Sequence, residues 1–177
     1  MDLILSWDSY SWIKYTSGLI KKNPKNYELL LVTKDCWDQV IFCKSFLCQE
    51  ALYEQRKDDV FRVAKKLGLR KVYNLGYFYI EVEKLIAQLQ LKFLFTKYNK
   101  IYYQDVFILS EVIKRLIQNT PCLKFGMLKK GFIIDEKVYL SDQEVESKLS
   151  LAKMISGAKD YDDITLYPVV ETFFRSN

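Results

Sequence analysis

Apolar positions along the chain follow two alternating rhythms, one of strands and one of helices. Leu3-Ile4-Leu5-Ser6 opens as a short buried strand. Ser9 to Lys22 follows with Trp12, Ile13, Leu19 and Ile20 at helical spacing, until Asn23-Pro24 breaks it. Tyr27 to Thr33, YELLLVT, is a near-continuous apolar run of the kind a strand covered on both faces shows. Asp35 to Cys48 lacks a clean period and reads as loop with some helix, ahead of a helix from Gln49 to Leu67. In that helix Val60, Phe61, Val63, Ala64 and Leu67 make one apolar face. Gly68 stops it, because glycine takes the left-handed cap conformation without steric cost, and Lys65 and Lys66 complement the negative end of the helix dipole. Lys71 to Leu75 then reads as a buried strand closed by Gly76.

The second half repeats the alternation. Glu81 to Phe95 is helical, Lys100 to Tyr103 is a strand, and Val106 to Gln118 is a helix ended by Thr120-Pro121. Cys122 to Leu128 and Lys137 to Leu140 read as strands joined through Gly131 to Asp135. Ser141-Asp142-Gln143-Glu144 is a capping box, which starts a helix over Asp142 to Ser156 that Gly157 stops. Val169 to Phe174 reads as a last edge strand or a docked tail. Strands alternating with helices at these lengths predict a three-layer α/β sandwich with a mostly parallel sheet, in a single domain over residues 1–177.

Composition narrows the functional classes. Half of the 177 residues are apolar and 15% are aromatic, which suits a folded core. The Leu3 to Leu5 run is too interrupted for a signal peptide, and no apolar run approaches the ~18 residues of a membrane span, so a cytoplasmic location without membrane contact is expected. Cys36, Cys43, Cys48 and Cys122 form no C-x-x-C pair and read as free thiols rather than bridges or a zinc site. The net charge of +5 is spread over groups such as Lys65-Lys66-Arg70-Lys71 and Lys124-Lys129-Lys130. These read as solvated faces, with weak nucleic-acid binding as the alternative. Lys, Asn, Tyr, Ile and Phe are abundant beside 6 glycines, the usage of an AT-rich coding genome such as a phage's or a low-GC bacterium's. The chain contains no histidine, which removes Ser-His-Asp, Cys-His and H-E-x-x-H chemistry.

Arg56, then Asp59, Leu67-Gly68 and Leu75-Gly76 resemble the R-x-x-E…A-x-x-L-G…L-G run of the LmbE/PIG-L family, zinc-dependent de-N-acetylases of N-acetylglucosamine conjugates. The likeness reaches along nearly the whole chain. Gly18 falls on the family's second glycine after its zinc motif, so Trp7 to Trp12, WDSYSW, occupies the place of P-H-P-D-D-E. Leu29 to Thr33 with Lys34-Asp35 resembles the second strand and its T-D-G turn. Lys148 to Ser156 resembles the late K…A…H-x-S-Q helix, and Glu171-Thr172-Phe173 the closing E-x-F. The resemblance implies a Rossmann-like sheet, with the framework residues Arg56, Asp59, Gly68 and Gly76 retained.

Departures fall on the catalytic atoms. Asp8 stands where the family has its first zinc histidine, Tyr10 where it has the aspartate base, and Ser11 where it has the aspartate ligand. The later H-P-D-H or D-D-H segment corresponds to Gln104-Asp105-Val106, which keeps an acid and no histidine. A phenol with an ordinary pKa of about 10 does not replace a carboxylate base. The resemblance therefore implies an inactive relative with no zinc, acting as a binding or assembly module. Its vestigial pocket would comprise Trp7, Asp8, Tyr10, Ser11, Trp12, Asp35, Tyr79 and Asp105, and its partner would be another protein, a second copy or a sugar stacked on the aromatics. Two alternatives stand beside it. Asp8, Asp35 and Asp105 can converge on a hard cation and support de-N-acetylase-like hydrolysis; or Trp7, Tyr10 and Trp12 simply pack the first strand against its helix. Arg56 and Asp59, three residues apart on one helix, read as an ion pair beneath the loops.

Overall fold

A computed structural model describes residues 1–34, 46–77, 80–93, 98–104, 106–117, 123–127, 134–155 and 170–175. Seven strands form one sheet: β1 (Asp2–Ser6), β2 (Tyr27–Thr33), β3 (Lys71–Tyr77), β4 (Lys100–Gln104), β5 (Leu123–Met127), β6 (Ile134–Tyr139) and β7 (Val170–Arg175). Their order across the sheet is β3-β2-β1-β4-β5-β7-β6. The first five run parallel, and β7 lies antiparallel between β5 and β6. Between them run α1 (Ser11–Lys22), α2 (Phe46–Leu67), α3 (Val82–Phe93), α4 (Phe107–Ile117) and α5 (Asp142–Ala152). The result is the expected α/β sandwich.

Alternation along each strand sends neighbouring side chains to opposite layers. Ile4, Leu29 and Leu31 pack with Trp12 and Ile13 of α1, Val60 and Val63 of α2, and Val145 and Leu151 of α5. Leu3, Leu5, Leu30 and Val32 face the other way, onto Leu85 of α3 and Val112 and Ile113 of α4. Burial on both faces explains why β2 is buried along its whole length. In the first layer Tyr102 meets Tyr27 and Phe173 edge to face, with ring centroids 6.1 and 5.1 Å apart. The capping box forms as read: Ser141 accepts from the Glu144 amide while the Glu144 carboxylate accepts from the Ser141 N–H at 2.8 Å.

Several expectations are corrected. β3 is an edge strand of mostly half-buried residues rather than a buried one, because among the described residues only β2 pairs with it. Gly76 does not close β3; the strand continues to Tyr77. Gly76 has φ 65° where the β2–β3 register slips between Leu31 and Thr33, the geometry of a bulge. The last strand is no edge or tail, since β6 covers its outer side. Phe61 is 43% exposed, having turned out of the face that buries Val60, Val63, Ala64 and Leu67. Cys48 is disulfide-bonded rather than a free thiol, for a bridge needs two Cα atoms about 4.4–6.8 Å apart and no particular sequence spacing. α2 starts at Phe46 rather than Gln49. Most of the Asp35 to Cys48 loop, together with Pro121, Gly131 and Gly157, lies outside the described residues.

Candidate functional site

The order β3-β2-β1-β4-β5 reverses direction between β1 and β4, and in such sheets a crevice opens beyond the strands' carboxyl ends at that point. The turn from Trp7 to Tyr10, joining β1 to α1, enters it from one side and Gln104, the last residue of β4, from the other. The backbone of Trp7 is held on both flanks. Its carbonyl accepts from Thr33 Oγ1 at 2.6 Å and the Thr33 amide at 3.1 Å, and its N–H donates to Gln104 Oε1 at 2.8 Å.

Asp8 is half-buried and has four donors on its carboxylate. Its Oδ1 accepts from the N–H groups of Tyr10 at 3.0 Å and Ser11 at 2.6 Å, and its Oδ2 from Ser11 Oγ at 2.6 Å and Gln104 Nε2 at 2.9 Å. Because Tyr10, the N-cap of α1, makes no side-chain cap bond, the Asp8 carboxylate serves the first turn of that helix instead. Ser6 Oγ closes the ring by donating to the Asp8 carbonyl at 2.9 Å. Tyr15, further along α1, has its phenol pushed up by burial and by the Asp8 charge.

The aromatic trio is divided. Trp12 is fully buried in the α1 layer, where its indole N–H donates to the Ser9 carbonyl at 2.8 Å, and Tyr10 packs against the same cluster. Trp7 packs on the opposite layer. Asp35, Tyr79 and Asp105 lie outside the described residues. On the β2 side of the crevice, Lys34 pairs with Glu50 at 2.9 Å and lies 4.5 Å from the Tyr53 ring centre. Gly76 is required beside it, since a Cβ there would sit 2.7 Å from the Tyr53 hydroxyl.

Framework residues come together behind α1. Glu171 of β7 accepts from the N–H groups of Gly18 and Leu19, each at 2.8 Å, and pairs with Lys148 of α5 at 2.6 Å. Lys148 Nζ in turn donates to the Lys14 carbonyl at 2.8 Å. This buried ion pair reaches both peptide groups of one α1 turn, the Lys14 carbonyl and the Gly18 N–H. A side chain at position 18 would meet Leu140 at 2.3 Å and the Glu171 carboxyl at 3.1 Å, so only glycine leaves the room. Arg56 and Asp59 are both buried, and Asp59 pairs with Arg62 at 3.0 Å.

Sequence reasoning named Asp105 and passed over its neighbour Gln104, whose signal was its place at the end of the strand beside β1. Among the described residues, no cluster of three or more carboxylate or cysteine ligands occurs, and no helix is long and apolar enough to cross a membrane.

The sequence matches no protein-family model and no curated protein. Solved structures do match the fold. The N,N'-diacetylchitobiose deacetylase of Pyrococcus horikoshii, complexed with an inhibitor, aligns with a TM-score of 0.69 at 16% identity over 99% of this chain and 83% of its own. GalB of Pseudomonas putida, a 4-carboxy-2-hydroxymuconate hydratase, aligns with a TM-score of 0.68 at 10% identity over 99% of this chain and 94% of its own. The conserved protein TT1542 of Thermus thermophilus aligns with a TM-score of 0.64 at 14% identity over the same two shares. The chain therefore has an LmbE/PIG-L-like fold, as the sequence resemblance implies.

Proposed function

We propose that this protein is a non-catalytic member of the deacetylase-like fold, acting as a binding or assembly module. The observation that carries the reading is the four-donor carboxylate of Asp8, at the point where the resemblance places the first zinc ligand. A tetrahedral catalytic zinc takes three protein ligands and keeps one position open for water. The donor set here does not fit that ion. The chain has no histidine, and Tyr10 and Ser11 occupy the places of base and ligand. The four donors on Asp8 match the roughly four lone-pair sites of a carboxylate. The fold does not decide the matter, since a deacetylase and a hydratase share it.

The framework supports the same reading from the other side. Gly18, Lys148 and Glu171 still lock together, so the body is maintained while the atoms of the reaction are replaced. Substituting Asp8→Asn tests the role given to the carboxylate. The amide group would turn a donor toward the Gln104 Nε2 donor, leaving these half-buried groups mismatched at a cost of about 1 kcal/mol. Urea unfolding should show that loss, while zinc measured by mass spectrometry after chelator-free purification should be sub-stoichiometric in both proteins. Stoichiometric zinc lost on Asp8→Asn would replace this reading with a carboxylate-held metal hydrolase.

A further inference from the structure

Where α2 ends and β3 begins, at the end of the sheet away from the crevice, Phe61, Lys65, Gly68, Arg70, Lys71 and Val72 line a groove of about 370 Å³. Three features coincide there. Phe61 presents an exposed ring on one wall, with Leu69 and Val72 continuing the apolar lining. Lys65, Arg70 and Lys71 add positive charge at its rim, and the Arg70 side chain is 60% exposed. Arg70 pairs at 3.9 Å with the buried carboxylate of Glu28, which offsets its charge, so the net positive charge of the rim rests on Lys65 and Lys71. Finally, β3 is one of the two edges of the sheet, and among the described residues no strand pairs with its outer side.

We propose that this groove and the outer side of β3 form a docking surface for an extended acidic peptide segment of another protein. Such a segment would add main-chain hydrogen bonds along β3, place apolar side chains against Phe61 and Val72, and set its carboxylates on Lys65 and Lys71. Each of the three features then has a use. A second copy of the chain fits less well, because a two-fold pairing brings the same cations onto themselves. Nucleic acid would engage the cations but not the strand edge. The inference does not depend on whether the crevice is catalytic.

Fluorescence anisotropy on the whole protein tests it, with a labelled peptide of alternating glutamate and valine against a glutamine-valine peptide and an oligothymidylate. The acidic peptide should bind in preference to both probes, and Lys65→Glu with Lys71→Glu should weaken it about tenfold. Hydrogen exchange should slow across residues 71–77 of the unaltered protein on binding, a readout that stands even if the double variant misfolds. Equal binding of the neutral peptide, preference for the oligothymidylate, unchanged exchange in β3, or self-association of the free protein through β3 would overturn the proposal.

Discussion

Lys148 and Glu171 face each other at 2.6 Å with almost no exposure, and burial pushes the two groups in opposite directions, the amine down and the carboxyl up. Opposing that push are the attraction of the pair itself, two backbone N–H groups on the carboxylate and the Lys14 carbonyl on the amine. Removing one partner should therefore cost more than removing both. Lys148→Met is expected to destabilise by about 3–5 kcal/mol in urea unfolding, and Lys148→Met with Glu171→Leu by clearly less. A double-variant loss equal to the sum of the Lys148→Met and Glu171→Leu losses would show that the pair is not coupled. Tyr98 gives a second test, this one with a pH signature. Burial and its bond to Glu28 push the phenol well above its usual value. Above about pH 10 the unfolded chain therefore ionises this tyrosine while the folded chain keeps it protonated, so stability falls as pH rises. Tyr98→Phe should be less stable at neutral pH by about 1–3 kcal/mol, having stripped Glu28 of a donor. Between pH 9 and 11 it should lose less stability than the parent; an identical slope would remove Tyr98 from the account.

At the scale of elements, the cap of α5 is the clearest local device. Ser141→Ala should lower stability by about 1 kcal/mol by chemical denaturation. The Glu144 half of the box is held below the usual carboxylate range by its bonds to Ser141. Its contribution is thus present above the unfolded value and fades as pH falls through the lower folded one. This box was readable from four consecutive residues, as were β2 and the stop at Gly68, because each is decided by neighbours in the chain. Elements whose character depends on distant partners were not. Val72, Tyr73 and Leu75 look the same in a covered strand and an edge strand, and only the sheet order says which β3 is. Asp8 looked like a residue of a vestigial pocket or a cation ligand. Its Gln104 donor lies 96 residues away, and no local pattern announces that bond. The Lys148–Glu171 pair was hidden similarly, although the resemblance singled out both residues and Gly18 without saying that they touch.

For the whole molecule, the sheet places the crevice at its strand-order reversal, the locked helix α1 beside it and β3 at one of its two edges. The crevice lies where the strand order reverses, and there the Asp8 and Gln104 side chains bridge the turn after β1 to the end of β4. Solved proteins of different activity share this architecture, so chemistry must be read from the residues at that point. The most direct measurement is acetate release from N,N'-diacetylchitobiose by the intact protein with zinc supplied. Acetate formation at the rate of the protein-free control is the predicted result. Zinc-dependent release that disappears in Asp8→Asn would contradict it.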